Sequence, residues 1–157
     1  MRVGWGVDAH RFGGDGPTLL AGVVVDPGRG VLGTSDADVL AHAVADGVLG
    51  ACALGDLGRH FPSSDPQWVD ADSMGILTEV VAMAAAAGYV IGSVDATVVA
   101  ERVRVAPHRD SIREALADAL GVDPSAVSVK ATTTDGMGFL GRDEGIAALA
   151  VVVVRPS

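Results

Sequence analysis

A chain of 157 residues with a net charge of −9 fits one domain and excludes partners that need a basic surface, namely nucleic acid and anionic membrane. Apolar residues make up 49% but aromatics only 4%, so the core must be built mostly from Ala, Val, Leu and Gly. Such side chains bury less area each, and self-association is one way to add more.

A single cysteine, Cys52, cannot form an internal disulfide, which fits a reducing cytosol. The N-terminal stretch has no apolar run of signal-peptide type. The longest apolar run, Ile146 to Val154, is nine residues, where a membrane helix needs about 20. A soluble, cytoplasmic protein is expected.

Val3, Trp5 and Val7 alternate with Gly4, Gly6 and Asp8, a strand pattern running from Val3 to His10. Asp8 and His10 are two apart and leave the same face of that strand. A carboxylate and an imidazole at one strand end make half of a metal site. A third ligand would leave one open position, the arrangement of catalytic zinc. Asp-x-His alone occurs often by chance, so the third ligand matters. Residues 13–30 hold two short apolar runs, Leu19–Leu20 and Val23–Val25, bracketed by Gly, Pro and Asp, and read as a β-hairpin.

The interior of the stretch Thr34 to Ala51 reads as a helix, its start marked by Ser35 with Asp38 three residues on, like a capping box. Asp38, His42 and Asp46 recur every four residues and are expected on one face. Leu40, Val44 and Gly47 lie roughly opposite, on the side suited to a sheet. The polar face is either a solvated surface or the source of the third ligand, and His42 is the candidate.

Leu54 to Pro66 reads as a loop carrying Asp56, His60 and Asp65. Ser73 to Ala87 is a helix, capped by Asp72 or Ser73 and stopped by Gly88. Tyr89 to Val99 alternates as a strand. Glu101 to Pro107 brings Arg102 and Arg104, either a solvated loop or an anion contact. His108 to Leu120 is a third helix ended by Gly121, and Ser125 to Thr132 a strand. Thr132 to Gly145 is a Gly- and Thr-rich loop whose N–H groups and hydroxyls suit phosphate, with Arg142 as a charged fork. Ile146 to Val154 is apolar almost throughout, as for a strand buried on both faces. The order gives an α/β sandwich over residues 1–157: one mixed β-sheet with helices on one face. The other face is left bare, and a second copy is the simplest cover.

Six motifs, in order along the whole chain, carry a resemblance. They are Asp8-Ala9-His10; Ser35-Asp36-Ala37-Asp38-Val39 with His42 and Asp46; Leu54-Gly55-Asp56-Leu57-Gly58 with His60-Phe61-Pro62; Asp65-Pro66; Lys130-Ala131-Thr132-Thr133-Thr134; and Gly138-Phe139-Leu140-Gly141-Arg142 with Glu144-Gly145. Together they resemble the 2-C-methyl-D-erythritol 2,4-cyclodiphosphate synthase family. The resemblance implies a lyase of the non-mevalonate isoprenoid route. Its substrate is 4-diphosphocytidyl-2-C-methyl-D-erythritol 2-phosphate. The 2-phosphate attacks the β-phosphorus and CMP leaves. It also implies a homotrimer, with active sites between subunits.

The same resemblance assigns roles. Asp8, His10 and His42 hold zinc, and a second divalent cation, magnesium or manganese, meets Asp135. Thr34 and Thr133 take the catalytic positions that stabilise the transition state. Ser35, Asp56, Gly58, Phe61 and Asp65 line the erythritol-phosphate part, and Ala100, Arg104, Val105, Ala106, Ala131, Thr132 and Thr133 hold the cytidine diphosphate. Asp8, His10, Thr34, Asp46, Leu57, Ser63, Thr134 and Asp135 are further substrate-binding positions, with Asp46 orienting His42 or a nearby hydroxyl. Phe139 and Arg142 reach substrate and, with Glu144, surround a central trimer cavity for an isoprenoid diphosphate.

Four positions depart from the family pattern. Thr34 replaces a usual His and brings no positive charge. Asp135 replaces Glu and is one methylene shorter, so the second metal is met through water. Glu101-Arg102-Val103-Arg104 replaces a run with Pro-Lys, Arg104 keeping the cation. Ser63 replaces an Asp and loses an acceptor charge. Two rival readings use the same residues: a metal-dependent phosphohydrolase with water as nucleophile, and a trimer that binds isoprenoid diphosphates without turnover. A cyclic diphosphate plus CMP as products separates the synthase from both.

Overall fold

Arg2–Gly14 form the long first strand (β1) of a computed structural model that describes residues 1–157. The strand outruns the expected Val3–His10 because its far end has a partner of its own. Gly30–Val31 (β4) pair antiparallel with it, Phe12 opposite Val31 and Gly14 opposite Gly30. Between them lies the expected hairpin, Thr18–Leu20 (β2) against Val23–Asp26 (β3), as a separate two-stranded sheet.

Three later strands complete the main sheet: Tyr89–Val99 (β5), Val127–Thr132 (β6) and Gly145–Pro156 (β7). The strand order is β4-β1-β7-β5-β6. β7 runs antiparallel to both β1 and β5, whereas β5 and β6 are parallel. A parallel pair needs a crossover, which the helix Arg109–Leu120 (α4) supplies. Gly121, at φ 66°, ends it in the left-handed conformation that suits glycine. The sheet is mixed, with Val39–Cys52 (α1), Ser73–Ala86 (α3) and α4 on one face, as expected. No helix is long and apolar enough to cross a membrane.

The segment expected to be plain loop, Leu54–Pro66, contains a one-turn helix, Leu57–His60 (α2). Another single turn, Gly138–Gly141 (α5), lies in the Gly- and Thr-rich loop. A single turn carries no periodicity to read, only a cap. Asp56 caps α2 by accepting from Arg59 N–H at 3.0 Å. Asp65 caps the 3-10 turn Pro66–Trp68 in the same way.

The start of α1 corrects the capping expectation. Asp38, not Ser35, is the N-cap, and the helix begins at Val39. One Asp38 oxygen accepts from Leu40 and Ala41 N–H at 3.1 and 3.0 Å; the other accepts from Gly22 N–H at 2.8 Å. Asp38 is fully buried, and three donors supply what a buried carboxylate requires. Burial still pushes its carboxyl above the usual range, against the pull of those N–H groups. Asp38 therefore does not share a polar face with His42 and Asp46.

Helix α1 is buried on almost every side, and it lies unusually close to the sheet. A Cβ on Gly6 would sit 1.9 Å from Ala43 O, and one on Gly4 would sit 1.9 Å from Gly47 O. On the helix side, a Cβ on Gly47 would meet Val152 Cγ2 at 2.7 Å. The two strand glycines thus let backbone rest on backbone, and Gly47 leaves room for the Val152 side chain. Around this contact the core is Val, Ala and Leu, with Leu20, Leu40, Leu49, Leu77, Ile112, Leu116 and Ile146 as its largest members.

The far face of the sheet is open. Val3, Trp5 and Val7 are 62%, 65% and 46% exposed. They stand in register with Val153, Val151 and Leu149 on β7. The expectation that Ile146–Val154 is buried on both faces does not hold within one chain: from Leu149 onward its residues alternate, and Val151 is exposed.

Gly6→Ala is predicted to force α1 off the sheet and cost more than the roughly 1–3 kcal/mol usual for overpacking a core. Denaturant unfolding measures this, and unchanged stability would contradict the backbone contact.

Candidate metal centre and its cavity

Asp8 and His10 leave β1 on the face turned toward α1, and His42 projects from the first turn of that helix. The close packing at Gly6 and Gly47 makes the three meet. Asp8 Oδ2 lies 3.0 Å from His10 Nε2 and 3.0 Å from His42 Nδ1. The two nitrogens are 3.5 Å apart. The His10 ring is aimed by its other nitrogen, which lies 2.9 Å from Leu32 O and donates to it.

These three atoms form a group able to hold a metal ion. Tetrahedral zinc with ligands at about 2.0–2.1 Å places neighbouring ligand atoms roughly 3.3–3.4 Å apart. The observed triangle, with sides of 3.0, 3.0 and 3.5 Å, is close to one face of that tetrahedron. Two imidazole nitrogens and one carboxylate oxygen fit the donor chemistry of such a centre.

Electrostatics agree with the geometry. Burial works to raise the Asp8 carboxyl, but hydrogen bonds and charge from His10 and His42 outweigh it and hold the group far below the usual range. Burial works to lower His10, yet Asp8 and the Leu32 carbonyl keep it above the ordinary imidazole value of 6.5. The site favours positive charge at its centre.

A cavity opens on this cluster. Asp8, His10, Thr34, Ser35, His42, Asp46, Leu57, Phe61 and Ser63 line it, all named from the sequence. Trp68 and Ile76 line it as well and were not foreseen. Trp68 meets Phe61 edge-on, ring centroids 4.9 Å apart, and the pair walls one side. Asp46 hydrogen-bonds Leu57 N–H at 2.8 Å, so its carboxylate pins α2 to α1 rather than orienting His42. Burial pushes that carboxyl up, against the Leu57 N–H. Asp56 and Asp65 spend oxygens on their caps, and neither they nor Gly58 line the cavity.

The second group of residues lies elsewhere on the chain. Ala100 N–H donates to Thr132 O at 3.1 Å, tying the ends of β5 and β6 together. Val105 is the buried member of the Arg104–Ala106 segment; Ala131, Thr132 and Thr133 are exposed at or just beyond the end of β6, and Thr134 is half-buried. Thr133 Oγ1 accepts from Asp135 N–H at 3.1 Å and turns the loop there. None of these residues lines the metal-facing cavity. Phe139 and Glu144 border a different depression with Ala9, His10, Arg11 and Gly145, and Arg142 Nε donates to Glu144 Oε1 at 2.7 Å.

Known proteins match this fold and these residues. The YgbB family matches residues 1–155. The 2-C-methyl-D-erythritol 2,4-cyclodiphosphate synthase of Salinibacter ruber is 54% identical over 155 residues, covering 99% of this chain and 99% of the relative. The bifunctional IspDF of Campylobacter jejuni superposes with a TM-score of 0.97 at 36% identity, covering 99% of this chain, which spans only 42% of that longer one. The Plasmodium falciparum IspF, solved as a CDP complex, superposes with a TM-score of 0.86 at 28% identity, covering 99% of this chain and 96% of that one. The match across residues 1–155, with full-length relatives that carry the synthase name, means that the chain belongs to the YgbB family of 2-C-methyl-D-erythritol 2,4-cyclodiphosphate synthases.

Proposed function

We propose that this chain closes its cyclic diphosphate in the cavity between β1 and α1, with zinc held by Asp8, His10 and His42. The activity is the family's: conversion of 4-diphosphocytidyl-2-C-methyl-D-erythritol 2-phosphate to the 2,4-cyclodiphosphate and CMP. The observation that carries the site assignment is the triangle of one oxygen and two nitrogens at tetrahedral spacing beside a cavity. When bound, zinc would polarise a phosphoryl oxygen and offset its charge.

The chain's own residues do the rest. An ionised phosphate is already a nucleophile, so positioning is the main task. Thr34 and Ser35 offer hydroxyls to phosphate oxygens at the cavity edge, while Phe61, Trp68 and Ile76 offer an apolar wall to the methyl-erythritol skeleton. Thr34 keeps the hydrogen bond that a His would donate there but not its charge. The N-terminal turns at Asp56–Gly58 and Ser63–Asp65 flank the same end. Thr133 stabilises the transition state from the second group. Asp135 takes magnesium or manganese, since a lone carboxylate with water suits those ions better than zinc.

The cytidine diphosphate occupies Ala100, Arg104–Ala106 and Ala131–Asp135. The CDP carried by the Plasmodium falciparum relative supports a cytidine-linked substrate. The separation of these residues from the metal-facing cavity supports a homotrimer, with each site shared between subunits. So does the open apolar sheet face at Val3, Trp5, Val7 and Val151. The depression at Phe139 and Glu144 is then the mouth of a central cavity for an isoprenoid diphosphate, with Arg142 beside it.

Three outcomes are expected. Chelation abolishes CMP release and added zinc restores it; unaltered release from metal-free protein, followed by phosphorus NMR, would contradict the reading. His10 must shed its proton to bind a metal, and it holds that proton above the ordinary imidazole value. Zinc affinity therefore falls as pH drops through that raised value, an onset less acidic than for free imidazole; competition with a chromophoric chelator across pH reads it, and a flat profile would oppose it. Trp5→Lys places a charge on the open sheet face and dissociates the trimer in sedimentation; an intact trimer would count against this face as its core.

A further inference from the structure

His42 offers one ring nitrogen to the metal cluster. The other, Nε2, turns into the gap between α1 and α3. There it lies 2.9 Å from Ser73 Oγ, on a residue that is fully buried. The Ser73 hydroxyl donates to Asp36 Oδ1, and Ser73 N–H donates to Asp36 Oδ2 at 3.2 Å. Ser35 Oγ stands 3.3 Å from the same His42 nitrogen.

The direction of donation follows from chemistry. A carboxylate accepts and cannot donate, so the single Ser73 hydroxyl proton goes to Asp36. Ser73 Oγ is left with lone pairs only for His42. Nε2 must then carry the proton, and the Nδ1 lone pair is left facing Asp8 and His10. The helix has no use for this hydroxyl, because Asp72 already caps α3 by accepting from Met74 N–H at 3.1 Å. Two backbone bonds hold the arrangement together: Asp36 N–H to Ala71 O at 3.1 Å and Asp70 N–H to Thr34 O at 2.8 Å. Between Ser35 and the helix, Ala37 adopts φ 55°, a left-handed conformation that costs an alanine free energy. That turn lies within the segment that presents Asp36 to Ser73.

The geometry points to Ser73 and Asp36 as positioning residues of the metal centre, which fix His42 as the Nε2–H tautomer and raise the basicity of its Nδ1. The inference rests on the reading that Asp8, His10 and His42 bind a metal. Neither Ser73 nor Asp36 lines the cavity, so they act through His42 and not on substrate. Partners of this kind on a ligating imidazole commonly carry about 10- to 100-fold in metal affinity.

The test uses the full chain, stripped and titrated with cobalt(II) against a chromophoric chelator. Ser73→Ala and Asp36→Asn are each expected to weaken cobalt binding by about 10- to 100-fold and to change the visible absorption of the bound ion. His42→Ala is the control. If His42→Ala binds cobalt as the parent does, the metal reading itself fails. If His42→Ala loses cobalt while Ser73→Ala and Asp36→Asn keep the parent's affinity and spectrum, the positioning role alone is overturned. A lower Tm of the metal-free variants, with cobalt affinity of the folded protein unchanged, would likewise assign these residues to folding and overturn it. Should Ser73→Ala not fold, Asp36→Asn carries the test, since Asp36 is only partly buried.

Discussion

Backbone contact between β1 and α1 is the constraint on which the site depends. Gly4 and Gly6 on the strand and Gly47 on the helix bring the two elements closer than side chains would allow. Asp8 and His10 lie further along the same strand, and His42 lies five residues before Gly47 on the same helix. A displacement of about 1 Å would separate the ligand atoms beyond the edge of a tetrahedral centre, whose side is roughly 3.3–3.4 Å. The glycines therefore serve chemistry through packing. The Ala- and Val-rich core follows from the same need, because larger side chains would hold the layers apart.

The chain divides its polar residues between two places. One group converges on the metal-facing cavity from β1, α1, α2 and the loops around them. The other gathers where β5 and β6 end, joined by the Ala100 to Thr132 hydrogen bond. With a net charge of −9, cations are few, and several are already paired. Arg142 pairs with Glu144 at 2.7 Å. Arg29 stacks over Phe12 at 3.5 Å and pairs with Asp143 at 2.8 Å, and so ties the loop before β7 to the segment before β4.

Much of this was legible in the residues alone. Tyr89–Val99 alternates and is a strand over those residues, although a register irregularity between Ile91 and Ser93 shifts the phase. Asp8 and His10 had to share a face because a strand repeats every two residues. The start of α1 was harder, because Ser35, Asp36 and Asp38 are all capable caps. A distant donor, Gly22 N–H, helps select Asp38, and no local pattern contains that contact. Ser73 was visible as a capping residue. In the fold Asp72 fills that cap, and the Ser73 hydroxyl and N–H both donate to Asp36 in the preceding loop. The β7 pattern was misleading for a related reason: a run of Val and Ala looks the same whether its second face is covered by this chain or left open.

The most direct test of the central claim is zinc-edge anomalous diffraction from crystals of the zinc-loaded protein. One ion should lie on His10 Nε2, His42 Nδ1 and an Asp8 oxygen, with its fourth position held by water or a phosphate oxygen. An ion bound through His42 Nε2, a fourth ligand from a protein side chain, or no ion between β1 and α1 would contradict it.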